Sequence, residues 1–224
     1  MLVTLSTMRT RIRQRADMAS STFIEDSELN QYINASFQEL YDILATTYQD
    51  YYTLAPVEFT IASGNTYDIA SNFYKLRGVD ATDDGIVFYN LSPFEFTNRN
   101  KTNTDNTVLR NTVEQKKFRL VGSKLYITPV DQAPGDYRIW YIPQATTLSD
   151  DSDTLDGVNG WEEYIVVDCV RKCLQKEETD TAYLVGEKEA LRQRIMAAAL
   201  DRDAGAPKRI TDIYDFDPFE RWNR

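Results

Sequence analysis

A chain with 35 aspartates and glutamates and no histidine lacks the commonest general acid and base. Neither a Ser-His-Asp nor a Cys-His arrangement is possible. Carboxylates, lysines and tyrosines remain, and the chemistry they best suit is glycoside hydrolysis by two carboxylates about 5–9.5 Å apart. Glu162-Glu163 and Glu177-Glu178 are adjacent pairs. Among so many acids such pairs arise by chance, and both read better as solvated or helix-dipole residues. Cys169 and Cys173 stand four apart in a helical pattern. That same-face spacing fits poorly with a disulfide, and two thiols without histidine make a poor zinc site. They read as small core residues. No catalytic residue, metal site or cofactor is expected.

The residues that do stand out are aromatic. The segment from Asp203 to Arg224 follows a helix stop at Gly205 and Pro207. It carries Ile210, Ile213, Tyr214, Phe216, Phe219 and Trp222 among acids, with no sustained helical or alternating period. Solvated tails are poor in aromatics. The segment therefore reads as a tail that docks on a partner. The other reading is that its aromatics fold back onto their own body. A few buried anchors at about 1.5–3 kcal/mol each would suffice for either.

Length and composition fit a soluble globular protein of one large or two small domains. The chain has 224 residues, 42% hydrophobic and 27% charged. No apolar run approaches a membrane span. Near the N-terminus the charges follow the short apolar patch, the reverse of a signal peptide, so secretion is not expected. The net charge of -10 argues against a general grip on duplex DNA. It suits a wall that DNA passes without sticking.

The elements that would hold these residues follow from hydrophobic period. Residues 4–17 read as a helix with the stripe Leu5, Met8, Ile12, Ala16. Its arginines alternate, Arg9 and Arg13 on one face, Arg11 and Arg15 on another. They form either a solvated basic face or, through Arg9 and Arg13, a contact with an acidic neighbouring subunit. Residues 25–48 read as a second helix, with acids at its start and Phe23-Ile24 as a hydrophobic staple.

Near residue 50 the period changes. Val57, Phe59 and Ile61, the turn Ser63-Gly64-Asn65, then Tyr67 and Ile69 read as a hairpin. Tyr74–Val79 and Ile86–Phe88 read as strands, and Ser92-Pro93 as the start of a short helix. Residues 98–112 read as a long exposed loop. Gly122-Ser123 reads as a two-residue hairpin turn, and Tyr137–Ile142 as a strand. Residues 149–157 form an acidic linker. A buried helix follows from Trp161 to Leu174, and a fourth carries the stripe Leu184, Leu191, Ile195, Ala198. Thr179-Asp180-Thr181 breaks the third helix and caps the fourth, and the short turn makes the two an antiparallel pair.

The expected fold is α+β. Residues 1–50 and 157–203 form a four-helix body from both chain ends. Residues 51–150 form an inserted antiparallel β domain, and residues 204–224 an extended C-terminal docking tail.

This order and several of its pieces resemble the head–tail adaptor (connector) proteins of tailed double-stranded DNA bacteriophages. Arg9-Thr10-Arg11-Ile12-Arg13-Gln14-Arg15 followed by Asp26-Ser27-Glu28-Leu29-Asn30-Gln31-Tyr32-Ile33-Asn34 looks like the family's first two helices. Tyr67-Asp68-Ile69 with Phe73-Tyr74-Lys75-Leu76 resembles its strand entry, with Ala70 where the family has proline and Asn72 where it has aspartate. Gly160-Trp161-Glu162-Glu163-Tyr164-Ile165 and Leu174-Gln175-Lys176-Glu177-Glu178 resemble its C-terminal helix. Arg202-Asp203-Ala204-Gly205-Ala206-Pro207 resembles the segment before its tail.

The resemblance implies a homo-oligomeric ring, commonly of twelve copies, in the virion neck beneath the portal, with assembly in the host cytoplasm. It implies a channel that DNA crosses without specific binding, a surface for the next tail or nozzle protein, and a C-terminal segment reaching the portal protein. Two alternatives stay open: another neck component, such as a stopper or tail terminator, and a carboxylate-dependent cell-wall hydrolase.

Overall fold

The computed structural model describes residues 2–19, 23–100, 115–156 and 160–200. It is a mixed α+β fold. Two helices precede the main run of strands and two follow it.

The N-terminal strand β1 (Leu2–Thr4) runs directly into helix α1 (Leu5–Arg15). Thr4 caps the helix, its Oγ1 accepting from the Thr7 N–H at 3.2 Å. Leu5, Met8 and Ile12 form the buried stripe. Asp17, at φ 56°, closes α1 in the left-handed region, and the Met18 N–H reaches the Arg13 carbonyl at 2.8 Å.

Helix α2 (Asp26–Thr47) has no side-chain cap, but Asp26 and Glu28 stand in its first turn, where the dipole favours them. Ile24 is the staple, buried in the same cluster as Leu29, while Phe23 is half exposed with Lys176 over its ring.

Helix α3 (Glu162–Lys176) is central, packing against α1, α2 and α4 (Ala182–Leu200). That is why its sequence is apolar on most sides. It ends at Glu178, in the left-handed region at φ 60°. The Glu178 and Thr179 amides there bond back to the Gln175 and Leu174 carbonyls. The break thus comes before Thr179. Asp180 does cap α4, its carboxylate accepting from the Ala182 N–H at 2.9 Å.

Between these helices two four-stranded sheets share one core. The first has the order β2 (Val57–Ile61), β9 (Gly135–Pro143), β4 (Phe73–Thr82), β5 (Phe88–Asn90). The second has the order β3 (Thr66–Asp68), β8 (Lys124–Thr128), β7 (Lys117–Val121), β6 (Ser92–Pro93). Phe59, Ile61, Val79, Ile139 and Tyr141 of one meet Leu125 and Ile127 of the other.

Four expectations are corrected. Strands β2 and β3 are not hairpin partners: β2 pairs with β9 and β3 with β8. The turn between them carries the chain from one sheet to the other, and Phe59 stacks on Tyr67 across the core at 3.9 Å. Ser92-Pro93 begins no helix. It is a two-residue strand beside β7, and this pair is parallel, so the β region is not wholly antiparallel. Proline sits there at an edge, where its missing N–H costs no ladder bond. Ile86 and Val87 lie in the connection before β5, so only Phe88 of that expected strand is in one. The acidic stretch 149–157 is no bare linker: its residues Thr154–Asp156 form β10, which pairs with β1. The Leu5 and Ser6 amides donate to the Asp153 and Asp151 carbonyls. These orphan donors at the α1 start are thereby satisfied. The Gly122-Ser123 turn stands as expected, with Val121 opposite Lys124 and Gly122 at φ 60°.

Candidate functional site

Of the residues singled out from sequence, Ile210, Ile213, Tyr214, Phe216, Phe219 and Trp222 lie outside the described residues, as does most of the 98–112 loop. Arg9 and Arg13 are described, and both are engaged within the subunit. Arg9 pairs with Asp151 and, at 3.4 Å, with Asp26. Arg13 pairs with Asp26 at 2.7 Å and donates to the Ile24 carbonyl at 2.8 Å. On the other face Arg11 meets Glu162 at 3.2 Å, and Arg15 meets Glu163 and, at 2.6 Å, Glu187. The two faces read from spacing are therefore real. Acids of the same chain, on α2, α3, α4 and the 149–157 stretch, meet both faces.

The reactive groups are quiet. Cys169 and Cys173 are free and buried. Burial pushes the Cys169 thiol up to about 12 and the Cys173 thiol up to about 11, so neither offers a thiolate at neutral pH. Glu162 and Glu163 are spoken for by arginines. Among the described residues no cluster of three or more His, Cys, Asp or Glu could hold a metal, and no helix is long and apolar enough to cross a membrane.

Sequence reading missed the most unusual polar group in the body. Asp168 sits on α3 with no solvent exposure. One carboxylate oxygen accepts from Ser36 at 2.7 Å and Lys172 at 2.8 Å. The other takes Arg171 and Lys188, each at 3.0 Å. Lys188 also holds Glu39 at 2.7 Å, and Glu39 accepts from Tyr164 at 2.6 Å. Burial alone would raise the Asp168 pKa. The hydrogen bonds from Lys172, Ser36 and Lys188 outweigh it and hold the carboxyl well below the ordinary range.

Ser36 Oγ beside Lys172 Nζ at 2.8 Å has the composition of a Ser-Lys dyad. Yet the serine is fully buried, and both groups are turned onto the Asp168 carboxylate, away from any solvent-reachable substrate position. The knot is a fastener of α2, α3 and α4. One signal was available: an acid in the middle of the apolar run Tyr164–Val170 cannot be buried unpaired.

Among the described residues two apolar features stand out. At the tip of the β4–β5 hairpin Ile86 is 82% and Val87 64% exposed. The tip is built: Asp84 accepts from their amides at 2.9 and 2.8 Å, and Gly85 turns at φ 73°. The two side chains are thus presented to solvent by a loop whose own backbone is fixed. The second is a groove of about 450 Å³ where the helical body meets the first sheet. Tyr41 anchors its floor, stacking on Tyr52 at 4.0 Å and donating to the Pro143 carbonyl at 2.6 Å. Phe37, Tyr51 and Leu54 continue the wall. Burial chiefly, then Tyr74 and Asp42, pushes the Tyr41 hydroxyl up to about 12, so it remains a hydrogen-bond donor.

A family model described as SU10 adaptor protein matches residues 3–211. Among curated proteins none matches. The match spans both helical segments and the sandwich. It stops before Ile213, Tyr214, Phe216, Phe219 and Trp222.

Proposed function

The chain belongs to the SU10 adaptor protein family, a family of head–tail adaptors, and we propose that it is a virion structural protein of the neck. In this reading copies form a closed ring beneath the portal, commonly of twelve. The ring joins capsid to tail, lines the channel that DNA crosses, and offers its far side to the next tail or nozzle protein. The tail from Ile210 to Trp222 docks on the portal protein. Assembly takes place in the host cytoplasm.

The observation that carries the reading is the family match over residues 3–211. The structure supports it on three counts. The body is locked internally by ion pairs, as an assembly part needs. Cys169 and Cys173 are buried, and Glu162 and Glu163 are paired with arginines. A held apolar tip, Ile86-Val87, stands ready for a heterologous contact of the sort a ring requires. Arg9 and Arg13 keep an inter-subunit role only at their residual exposed edges, 13% and 19% of the side chain.

Electron microscopy of the purified protein alone and mixed with its portal tests the proposal. A ring seated under the portal is expected with the full chain. A chain ending at Pro207 is expected to fold but not to attach. Attachment by that shortened chain would remove the tail from the proposal.

A further inference from the structure

We infer that, until the partner arrives, the segment Ile210–Trp222 rests in the groove between its own helical body and its own first sheet. This deepens the reading above, because it assumes that the same segment later docks on a second protein.

Three observations carry it. The first is where the chain goes. Helix α4 runs back along α3, and Arg194 near its end reaches the Gly160 carbonyl at 3.4 Å. The next residue, Trp161, packs on Tyr51 at 5.8 Å, and Tyr51 lines the groove. The described chain therefore ends, at the exposed Leu200, on the helical end that the groove borders.

The second is length. Twenty-four residues follow Leu200. Ile210 comes ten residues later, a reach of up to about 33–36 Å for extended chain, which is ample for a neighbouring groove. The third is chemistry. The wall offers Phe37, Tyr41, Tyr52 and Leu54, with Leu54 44% exposed, and the tail offers two isoleucines and four aromatics. The volume lies within the ~300–1,000 Å³ of ordinary apolar pockets. Asp153 stands on the lining, and Lys208-Arg209 immediately precede the tail's anchors.

A tethered segment meets its own groove at an effective concentration on the order of millimolar. A contact of only about 0.1 mM affinity would then be nine-tenths occupied, and would lower the apparent affinity for a partner about tenfold. A ring of partner sites overcomes that readily.

The test uses the full chain. Trypsin cleavage at Lys208 and Arg209 is timed in the unaltered protein and in two groove variants, Leu54→Asp and Thr146→Arg. Thr146 is an exposed lining residue, so its variant keeps the comparison if Leu54→Asp fails to fold. Cleavage about tenfold faster in the variants, at rates independent of protein concentration, is expected. Equal rates in all three proteins would overturn the inference. So would protection that grows with concentration, which would put the tail in another copy's groove.

Portal binding separates the two readings. If Phe216→Ser with Trp222→Ser frees Lys208 to trypsin yet leaves portal binding intact, portal docking fails and the groove stands. If that variant loses the portal while trypsin rates never change, the groove fails and portal docking stands.

Discussion

Asp168 on α3 and Lys188 on α4 meet at 3.0 Å, with the carboxylate wholly withdrawn from solvent. With Ser36 and Glu39 on α2 they tie three helices at one point. A buried pair of this kind adds little over an apolar substitute, but losing one member is costly. Asp168→Asn is therefore expected to lower unfolding free energy by about 3 kcal/mol, the low end of the ~3–5 range, because Lys172 and Lys188 keep some access to water. Urea denaturation checks this, and a change under 1 kcal/mol would contradict it.

The same carboxylate makes stability depend on pH. Its folded pKa lies below the unfolded value of about 3.9. The folded form thus binds fewer protons, and the contribution is full above the unfolded pKa and declines as pH falls. The stability gap between the natural chain and Asp168→Asn should be constant from pH 7 to 5. It should narrow below about pH 4. A gap that widens on acidification would show the sign to be wrong.

Glu178 ends α3 in the left-handed region without being glycine. An L-residue is disfavoured there by about 1–2 kcal/mol. Glu178→Gly should raise the unfolding free energy by about 0.5–1 kcal/mol, part of the gain being lost to the freer unfolded chain. Thermal melts of the two proteins measure it, and a lower midpoint for the variant would refute the capping account.

Arg13 and Asp26 lie 2.7 Å apart within one subunit. A double-mutant cycle with Arg13→Ala and Asp26→Ala in dilute monomer should return a coupling of about 0.2–1 kcal/mol, because the Asp26 side chain is 60% exposed and solvent screens the pair. A coupling found only in assembled rings would return these residues to the subunit boundary.

The apolar tip gives an assembly prediction. Ile86→Ser with Val87→Ser removes side chains that are mostly in solvent, so the unfolding midpoint should hold. Ring or neck assembly, followed by light scattering or microscopy, should weaken. Unchanged assembly would mean that the tip meets no protein.

Much of the fold was legible because helix signals are local. The stripe Leu5, Met8, Ile12 became the buried face of α1, and the turn at Gly122-Ser123 became a two-residue hairpin loop. The alternating arginines sorted onto two faces, as their spacing required. Strand pairing was not legible in the same way. Val57–Ile61 and Tyr67–Ile69 alternate on either side of a turn, and that pattern is the same for a hairpin and for a corner between two sheets. Both place alternate side chains in one core, so only the partners β9 and β8, about 56–82 residues away, decide between them. Ser92-Pro93 was misread for a related reason. Serine before proline suits a helix start and an edge strand equally.

The sequence by itself determined the element types, the α+β class, the absence of histidine chemistry and the aromatic character of the tail, since composition and period are properties of the chain alone. Tertiary structure decided what faces what. It gave the arginines of α1 their own acids, turned the acidic stretch into a strand beside Leu2–Thr4, and closed three cations around Asp168. It also brought Arg194 of α4 to Gly160, beside the Trp161 that packs on Tyr51 of the aromatic groove. These depend on distances between residues far apart in the chain, which no local pattern encodes.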